Sequence, residues 1–433
     1  MKRLNDLSSI ITVLTITFCN TIYVPADQPT IQSGLNAAMA GDAVIVASGF
    51  YVENITWPNT ASISLIGSGV ENCIIDGNNN ASVVRFEEDL GGIIDNSTLI
   101  TGFTIQAGNA INDWPGNYGG GLYCKSASPR IVDVTFNNNS TNSDGGGMYL
   151  EGSNAILENV IVTGNTASNI GGGIYCNQSS PLLLNVEVID NSSYSGSGIF
   201  CFVSSNPILE NVIIHGNSCI LEGGGLSCLG SSNPSLTNVL ITENSAGQGG
   251  GVFCWQSSHP NLNNVTITGN TASKGAGIFS LATSSSPTLV NVTIFDNTAW
   301  DFGGGIACDN SSALIVNSIL WGNTPNEVSI INSSEIEINF SDIQNSWEGI
   351  GNIDENPLFV DPDNGDYSLQ EISPCIDAGT ADLDGDGIVD ILDIVMTVSF
   401  ILSVEYNVLA DINFDGGVNV FDIIMIINII LEN

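Results

Sequence analysis

The chain has 433 residues, 45 carboxylates against six Lys and Arg, and a formal net charge of −39. Nucleic acid is excluded as a partner, because neutralising phosphates takes a basic stripe that Lys2, Arg3, Arg85, Lys125, Arg130 and Lys274 are too few and too scattered to form; an anionic membrane surface is a poor partner for the same reason. With 43% hydrophobic and only 12% charged residues, the chain is too apolar for disorder and long enough for a large core or more than one domain.

Residues 1–20 read as a secretory signal peptide, with Lys2 and Arg3 ahead of an apolar stretch from Ile10 to Phe18. No later stretch offers the roughly 18 continuous apolar residues that a membrane span needs. The expected address is secreted, extracellular or cell-surface associated.

A Gly-rich hexad then organises the chain. It reads GGGLYC at 119, GGGMYL at 145, GGGIYC at 171, GSGIFC at 196, GGGLSC at 223, GGGVFC at 249, GAGIFS at 275 and GGGIAC at 303. The spacings are 26, 26, 25, 27, 26, 26 and 28 residues, and so regular a period marks a solenoid whose repeats bury their faces only against neighbours. Each repeat carries a second half. An apolar file (Ile131, Leu157, Leu183, Leu209, Leu236, Leu262, Leu289, Ile315) precedes a first polar file (Asp133, Asn159, Asn185, Asn211, Asn238, Asn264, Asn291, Asn317). A second Asn file closes it at 139, 165, 191, 217, 244, 270, 297 and 323.

Apolar residues spaced by two, dominated by Val, Ile and Thr, mean short strands. The phase slips by one at the first Asn file, which places a bend there. Three short strands per repeat of about 26 residues predict an all-β solenoid, a right-handed single-stranded parallel β-helix, in which stacked Asn amides satisfy the backbone groups of a buried bend. The hexad cysteines (Cys124, Cys176, Cys201, Cys228, Cys254, Cys308) read as a reduced core ladder, because in-register side chains keep Cβ atoms farther apart than the ~3.8 Å of a disulfide. The residue between the inward positions of the hexad faces out. That file of Tyr123, Tyr149, Tyr175, Phe200, Phe253 and Phe279 is a candidate ligand surface, set against the possibility that it is packed over.

These motifs resemble the pectate-lyase-like β-helix superfamily, and especially the GGGIYC repeats of polymorphic-outer-membrane-protein-like secreted proteins. The resemblance implies an N-terminal cap at about 22–55, with Thr30–Ala40 as a helix over the open core, regular repeats over 119–324 within a β-helix spanning 21–324, and closing coils and linker over 325–380. It is specific for architecture and weak for activity.

The tail carries a different pattern. After residue 326 lie 22 of the 45 carboxylates and no Lys or Arg. DLDGDGIVDILD (382–393) and DINFDGGVNVFD (411–422) place oxygen ligands at loop positions 1, 3, 5 and 12 with Gly at position 6. Ca²⁺ takes six to eight hard oxygens at about 2.3–2.6 Å, and this spacing wraps them around one ion. The ligands are Asp382, Asp384, Asp386 and Asp393 in the first loop, and Asp411, Asn413, Asp415 and Asp422 in the second, so two Ca²⁺ are expected. An apolar helix follows each loop. The duplicated loop-plus-helix resembles the type I dockerin module, which docks enzymes and adhesins onto cohesins. It implies a calcium-binding α-helical domain over 381–433, with Asp390 and Asn419 reaching the ions through water or a carbonyl. The usual Ser/Thr recognition pair is replaced by Ile391-Leu392 and Val420-Phe421. The expected partner is therefore a cohesin-like or other surface protein, with folding back onto this chain as the alternative.

Catalytic constellations are sparse. Lyases on this fold need an Arg or Lys base; the nearby pair here, Lys125 and Arg130, straddles a turn, and Arg85 has Glu87 and Glu88 beside it as ion-pair partners. Asp190 and Asp296 share a turn position, but four coils separate them by roughly 19 Å at about 4.8 Å per coil. A glycosidase pair needs about 5–9.5 Å. His215 and His259 have no companion. The expectation is a non-catalytic, adhesin-like β-helix that binds polysaccharide or protein and is attached through the calcium module. The alternatives are a polysaccharide lyase or glycoside hydrolase delivered by that module, and a purely structural surface-layer component.

Overall fold

The computed structural model describes residues 19–87, 93–111, 117–282, 284–376, 383, 390–403, 406, 407, 410–412 and 417–432. The signal-like segment 1–18 lies outside them. From Thr21 to Ile343 the chain winds as a parallel β-solenoid of about 12 turns. Among the described residues the strands assemble into three parallel sheets of 19, 11 and 8 strands.

The widest sheet bends at the first Asn file. Asp133, Asn159, Asn185, Asn211, Asn238, Asn264, Asn291 and Asn317 all adopt left-handed backbone, Asn211 with φ 55°. Asn and Asp enter this region at the lowest cost among residues with a side chain. Some passes break there into two strands, such as Leu182–Leu184 and Glu187–Ile189, whereas others run through, such as Ser235–Thr242. On the surface, Asn185 Nδ2 donates to Asn159 Oδ1 at 3.1 Å, and Asn264 Nδ2 to Asn238 Oδ1 at 2.7 Å.

The second Asn file turns the chain into the third sheet and is buried throughout. Asn165 donates its backbone N–H and its Nδ2 to Asn191 Oδ1 at 3.0 and 2.9 Å, and Nδ2 also reaches the Phe136 carbonyl at 3.1 Å. The same pattern repeats to Asn323, so every rung satisfies the next. Between the third sheet and the hexad sheet the glycines bring successive coils close: a Cβ on Gly225 would stand 2.7 Å from the Gly251 carbonyl oxygen.

Inside, Ile, Val and Leu side chains form one continuous core, with the hexad cysteines among them. Register pairs Cys176 with Cys201, Cys201 with Cys228 and Cys228 with Cys254. All of these are free thiols, and burial pushes Cys124 and Cys308 up to about 12.

Helix α1 (Ile31–Ala37) closes the N-terminal end, shorter than the expected 30–40 span. Thr30 and Ser33 form its capping box, and the Glu53 carboxylate accepts from the N–H groups of Ile31 and Gln32, both at 2.9 Å, where the helix end favours negative charge. At the other end, parallel pairing continues through Val328–Ile331, Glu335–Asn339 and Asp342–Ile343. An antiparallel hairpin, Phe359–Asp361 with Asp366–Leu369, then seats Phe359 and Tyr367 on Phe295, with ring centroids 5.2 and 5.7 Å away.

The C-terminal region is helical, with α2 (Ile391–Ser403) and α3 (Val420–Glu432) packing around buried Ile412 and Ile426. Among the described residues no helix is long and apolar enough to cross a membrane.

Candidate functional site

Both C-terminal helices start in the same way. Asp390 Oδ1 accepts from the Leu392 N–H at 2.6 Å, while Asp393 Oδ2 accepts from the Asp390 N–H at 2.8 Å. Twenty-nine residues on, Asn419 Oδ1 accepts from Phe421 at 2.9 Å and Asp422 Oδ2 from Asn419 at 2.7 Å. Loop positions 9 and 12 thus cap each helix reciprocally. Asp393 Oδ1 also accepts from the Leu383 N–H at 2.6 Å, which ties residue 383 to the start of the helix.

Asp393, Asp411 and Asp422 are fully buried carboxylates. Burying a carboxylate demands a cation or dense hydrogen bonding, and residues 275–433 contain no Lys, Arg or His. This donor set, all hard oxygen, fits Ca²⁺. Asp382, Asp384, Asp386, Asn413 and Asp415, the remaining expected ligands, lie outside the described residues. Ile391, Leu392, Val420 and Phe421 are all exposed, and Val395 and Ile424 extend each apolar pair along its helix.

The outer face of the hexad sheet is the other place where functional groups gather. Contrary to the expected ligand stripe, Tyr123, Tyr149, Tyr175, Phe200, Phe253 and Phe279 are buried, none more than 6% exposed. They do face away from the core, but they stack on one another, Tyr149 against Tyr175 at 5.1 Å, and corner residues cover them. Tyr118, Ile170, Phe202 and Leu229 pack over the first group, and Trp255, Leu281 and Phe302 over the second. No ring in that file offers a free face to a sugar.

Around the first four rings sits a charged network. Arg85 lies over the Tyr123 ring, its Cζ 4.2 Å from the centroid, and its Nε donates to Glu87 Oε1 at 2.8 Å. Lys125 Nζ is 3.4 Å from Glu151 Oε1, and the Tyr149 hydroxyl donates to Glu151 Oε2 at 2.7 Å. Asp144 accepts from Asn169 Nδ2 at 2.7 Å. Burial pushes the Tyr123 hydroxyl up to about 12 and raises Tyr149, Tyr175 and Asp144 as well.

The candidate lyase pair does not converge. Lys125 belongs to the hexad sheet, whereas Arg130 begins a strand of the wide sheet and pairs with Glu158 at 2.6 Å. His215 lies on the wide sheet and His259 in an exposed turn, apart from one another. Asp190 and Asp296 occupy left-handed corners of separate coils, and burial raises the Asp296 carboxyl, with Asp363 adding to it. A cavity of about 220 Å³ under the C-terminal closure contains Asp342 and Cys375, and Cys375 Sγ donates to Asp342 Oδ2 at 3.1 Å. Burial pushes that thiol up to about 12, so it is no nucleophile at neutral pH.

The family profile described as right handed beta helix region matches residues 38–221 and again 172–344. The chain belongs to the right-handed β-helix family. Within this β-helix protein, residues 380–431 match the dockerin type I domain. Type I dockerin domains bind calcium, and dockerins bind cohesins. No curated protein matches the chain in sequence. Among solved structures, the A-module of the Azotobacter vinelandii mannuronan C-5 epimerase AlgE6 is similar at 15% identity and a TM-score of 0.45, covering 76% of this chain and 94% of that one.

Proposed function

We propose that this protein is an extracellular, non-catalytic β-helix that displays its flank for binding and is attached to a surface assembly through its dockerin domain. Two Ca²⁺ ions hold that domain, one on Asp382, Asp384, Asp386 and Asp393, the other on Asp411, Asn413, Asp415 and Asp422. The observation that carries the reading is the exposure of Ile391-Leu392 and Val420-Phe421 at matching positions of two helix starts whose carboxylates are buried. Apolar side chains held outside a compact helical pair mark a contact surface for another protein. The partner is a cohesin-like domain with an apolar docking face. On the β-helix itself, Arg85, Lys125 and Arg130 each pair with a glutamate, so the candidate lyase bases are already engaged, which supports binding over turnover.

The test uses the full chain in millimolar Ca²⁺ against an immobilised panel of cohesins that spans polar and apolar docking faces. Retention on apolar members is expected, lost when all four residues become Ser and only weakened when one pair does. Retention of the fourfold variant, or binding confined to polar cohesins, refutes the docking surface.

A further inference from the structure

Four of the six basic residues lie in the solenoid, and Arg85 and Lys125 stand on adjacent coils of one sheet face. Register sets Arg85 beside Tyr123, Tyr123 beside Tyr149, and Lys125 beside Glu151, with Asn177 one coil further. Glu87 follows Phe86, which pairs with Cys124, so Glu87 falls opposite Lys125. A row of Glu87, Lys125, Glu151 and Asn177 therefore runs along the face at about 4.8 Å per coil. Acceptors and donors alternate along it, and all four are partly solvent-exposed.

The stacked rings alongside the row form a rigid floor to the same face. Tyr118 leans on Tyr149 with centroids 4.7 Å apart, and Asp144 and Glu151 both act on the Tyr175 hydroxyl. A polar row fixed to a packed aromatic floor is preorganised, so a ligand spends little on ordering it.

Resting on the binding role proposed above, we infer that Arg85, Glu87, Lys125, Glu151 and Asn177, beside the Tyr118–Tyr123–Tyr149 stack, form a binding site for a neutral, hydroxyl-rich glycan. Charge decides the class. The cations are matched by Glu87 and Glu151, and Asp144 tips the cluster negative within a chain of net charge −39. An acidic sugar must displace a carboxylate from its cation and enter a negative field. A hydroxyl instead donates to Glu87 or Glu151 while accepting from Lys125 or Arg85, leaving both ion pairs intact. The site thus disfavours uronates.

The experiment titrates the full chain, in Ca²⁺, with neutral hexaoses of glucose, xylose and mannose and with hexagalacturonate. At least one neutral hexaose is expected to bind, and hexagalacturonate to bind at least tenfold more weakly. Glu151→Gln and Lys125→Met should each weaken the neutral complex at least tenfold, and Glu87→Gln severalfold, with thermal unfolding and near-ultraviolet dichroism of the tyrosines reporting that each variant is folded. Tighter binding of hexagalacturonate overturns the inference. A neutral hexaose held equally by wild type and all three folded variants refutes this site and leaves the broader binding role standing. Failure of every hexaose on the folded chain refutes this site, while the cohesin panel separately judges the docking role.

Discussion

The buried asparagines of the solenoid hand two donors from each rung to the next, and the last rung is not an amide. Asn323 gives its backbone N–H to Glu327 Oε1 at 3.0 Å and its Nδ2 to Glu327 Oε2. Glu327 is nearly inaccessible, and burial, with Asp342 nearby, pushes its carboxyl up to about 7 against the lowering effect of the Asn323 donors. The folded state thus holds the Glu327 proton more tightly than the unfolded chain, where the carboxyl titrates near 4.5. Protonation stabilises the fold fully below that unfolded value, and the benefit is lost as pH rises from about 4.5 to about 7. The span is roughly 3 kcal/mol at most. Asp144 and Asp342, also raised by burial, slope the same way, so the comparison that isolates Glu327 is a Glu327→Gln variant. Denaturant unfolding across pH 4–8 should show a steeper fall in stability for wild type than for the variant, and parallel curves would contradict this account. The thiol file makes a companion prediction at pH 8. Iodoacetamide should leave Cys124, Cys176, Cys201, Cys228, Cys254 and Cys308 unlabelled on the folded protein and reach them only after unfolding, because their thiols are buried.

At the scale of the coil, the three hexad glycines do different work. The second position holds Ser197 and Ala276 in two coils, but in the others a Cβ would meet backbone, 2.5 Å from the next coil's carbonyl oxygen for Gly146 and for Gly224. The third is Gly in all eight hexads, and a Cβ there would press on the next coil's carbonyl, 2.6 Å away for Gly173 and for Gly251. Backbone pressed by backbone has no rotamer to yield, so Gly225→Ala should cost about 3 kcal/mol or more, and Gly224→Ala, whose Cβ would stand 2.5 Å from the Gly250 carbonyl oxygen, should cost a similar amount. Thermal unfolding measures both, and small shifts would mean that the coils can part. This coil was largely legible in the sequence, since the hexad period, the one-residue slip at the outer asparagines and the inner Asn file each report a constraint that repeats in every turn. The burial of Tyr123, Tyr149, Tyr175 and Phe200 was not. A period of two tells which way a side chain leaves its strand, but not whether Tyr118, Ile170, Phe202 and Leu229 close over it from the corners. Nor did spacing announce the charged row, because Arg85, Lys125 and Glu151 lie far apart in sequence and meet only through coil-to-coil register.

For the whole molecule, solenoid and tail draw stability from different sources. The solenoid rests on a continuous core and an amide ladder, neither of which depends on metal. The tail buries Asp393, Asp411 and Asp422 in a segment with no basic residue, and its two loop sequences hold eight carboxylates. The two Ca²⁺ proposed above would offset about four of those charges and occupy the buried oxygens. A site saturated at a hundred times its Kd gains about 2.7 kcal/mol. Chelation with EGTA should therefore remove helical dichroism contributed by α2 and α3 while the β-sheet signal persists. Asp393→Ala should do the same in part, by disabling the first loop and its helix cap together. Salt discriminates between two explanations of the effect. If general repulsion among the −39 charges loosened the tail, 0.5 M NaCl, which shortens screening to a few ångströms, would restore the helices without calcium. If the buried carboxylates need a coordinated ion, NaCl restores little and micromolar to millimolar Ca²⁺ restores all of it. The second outcome is expected, because Asp393, Asp411 and Asp422 are sealed from solvent, where mobile ions do not screen them.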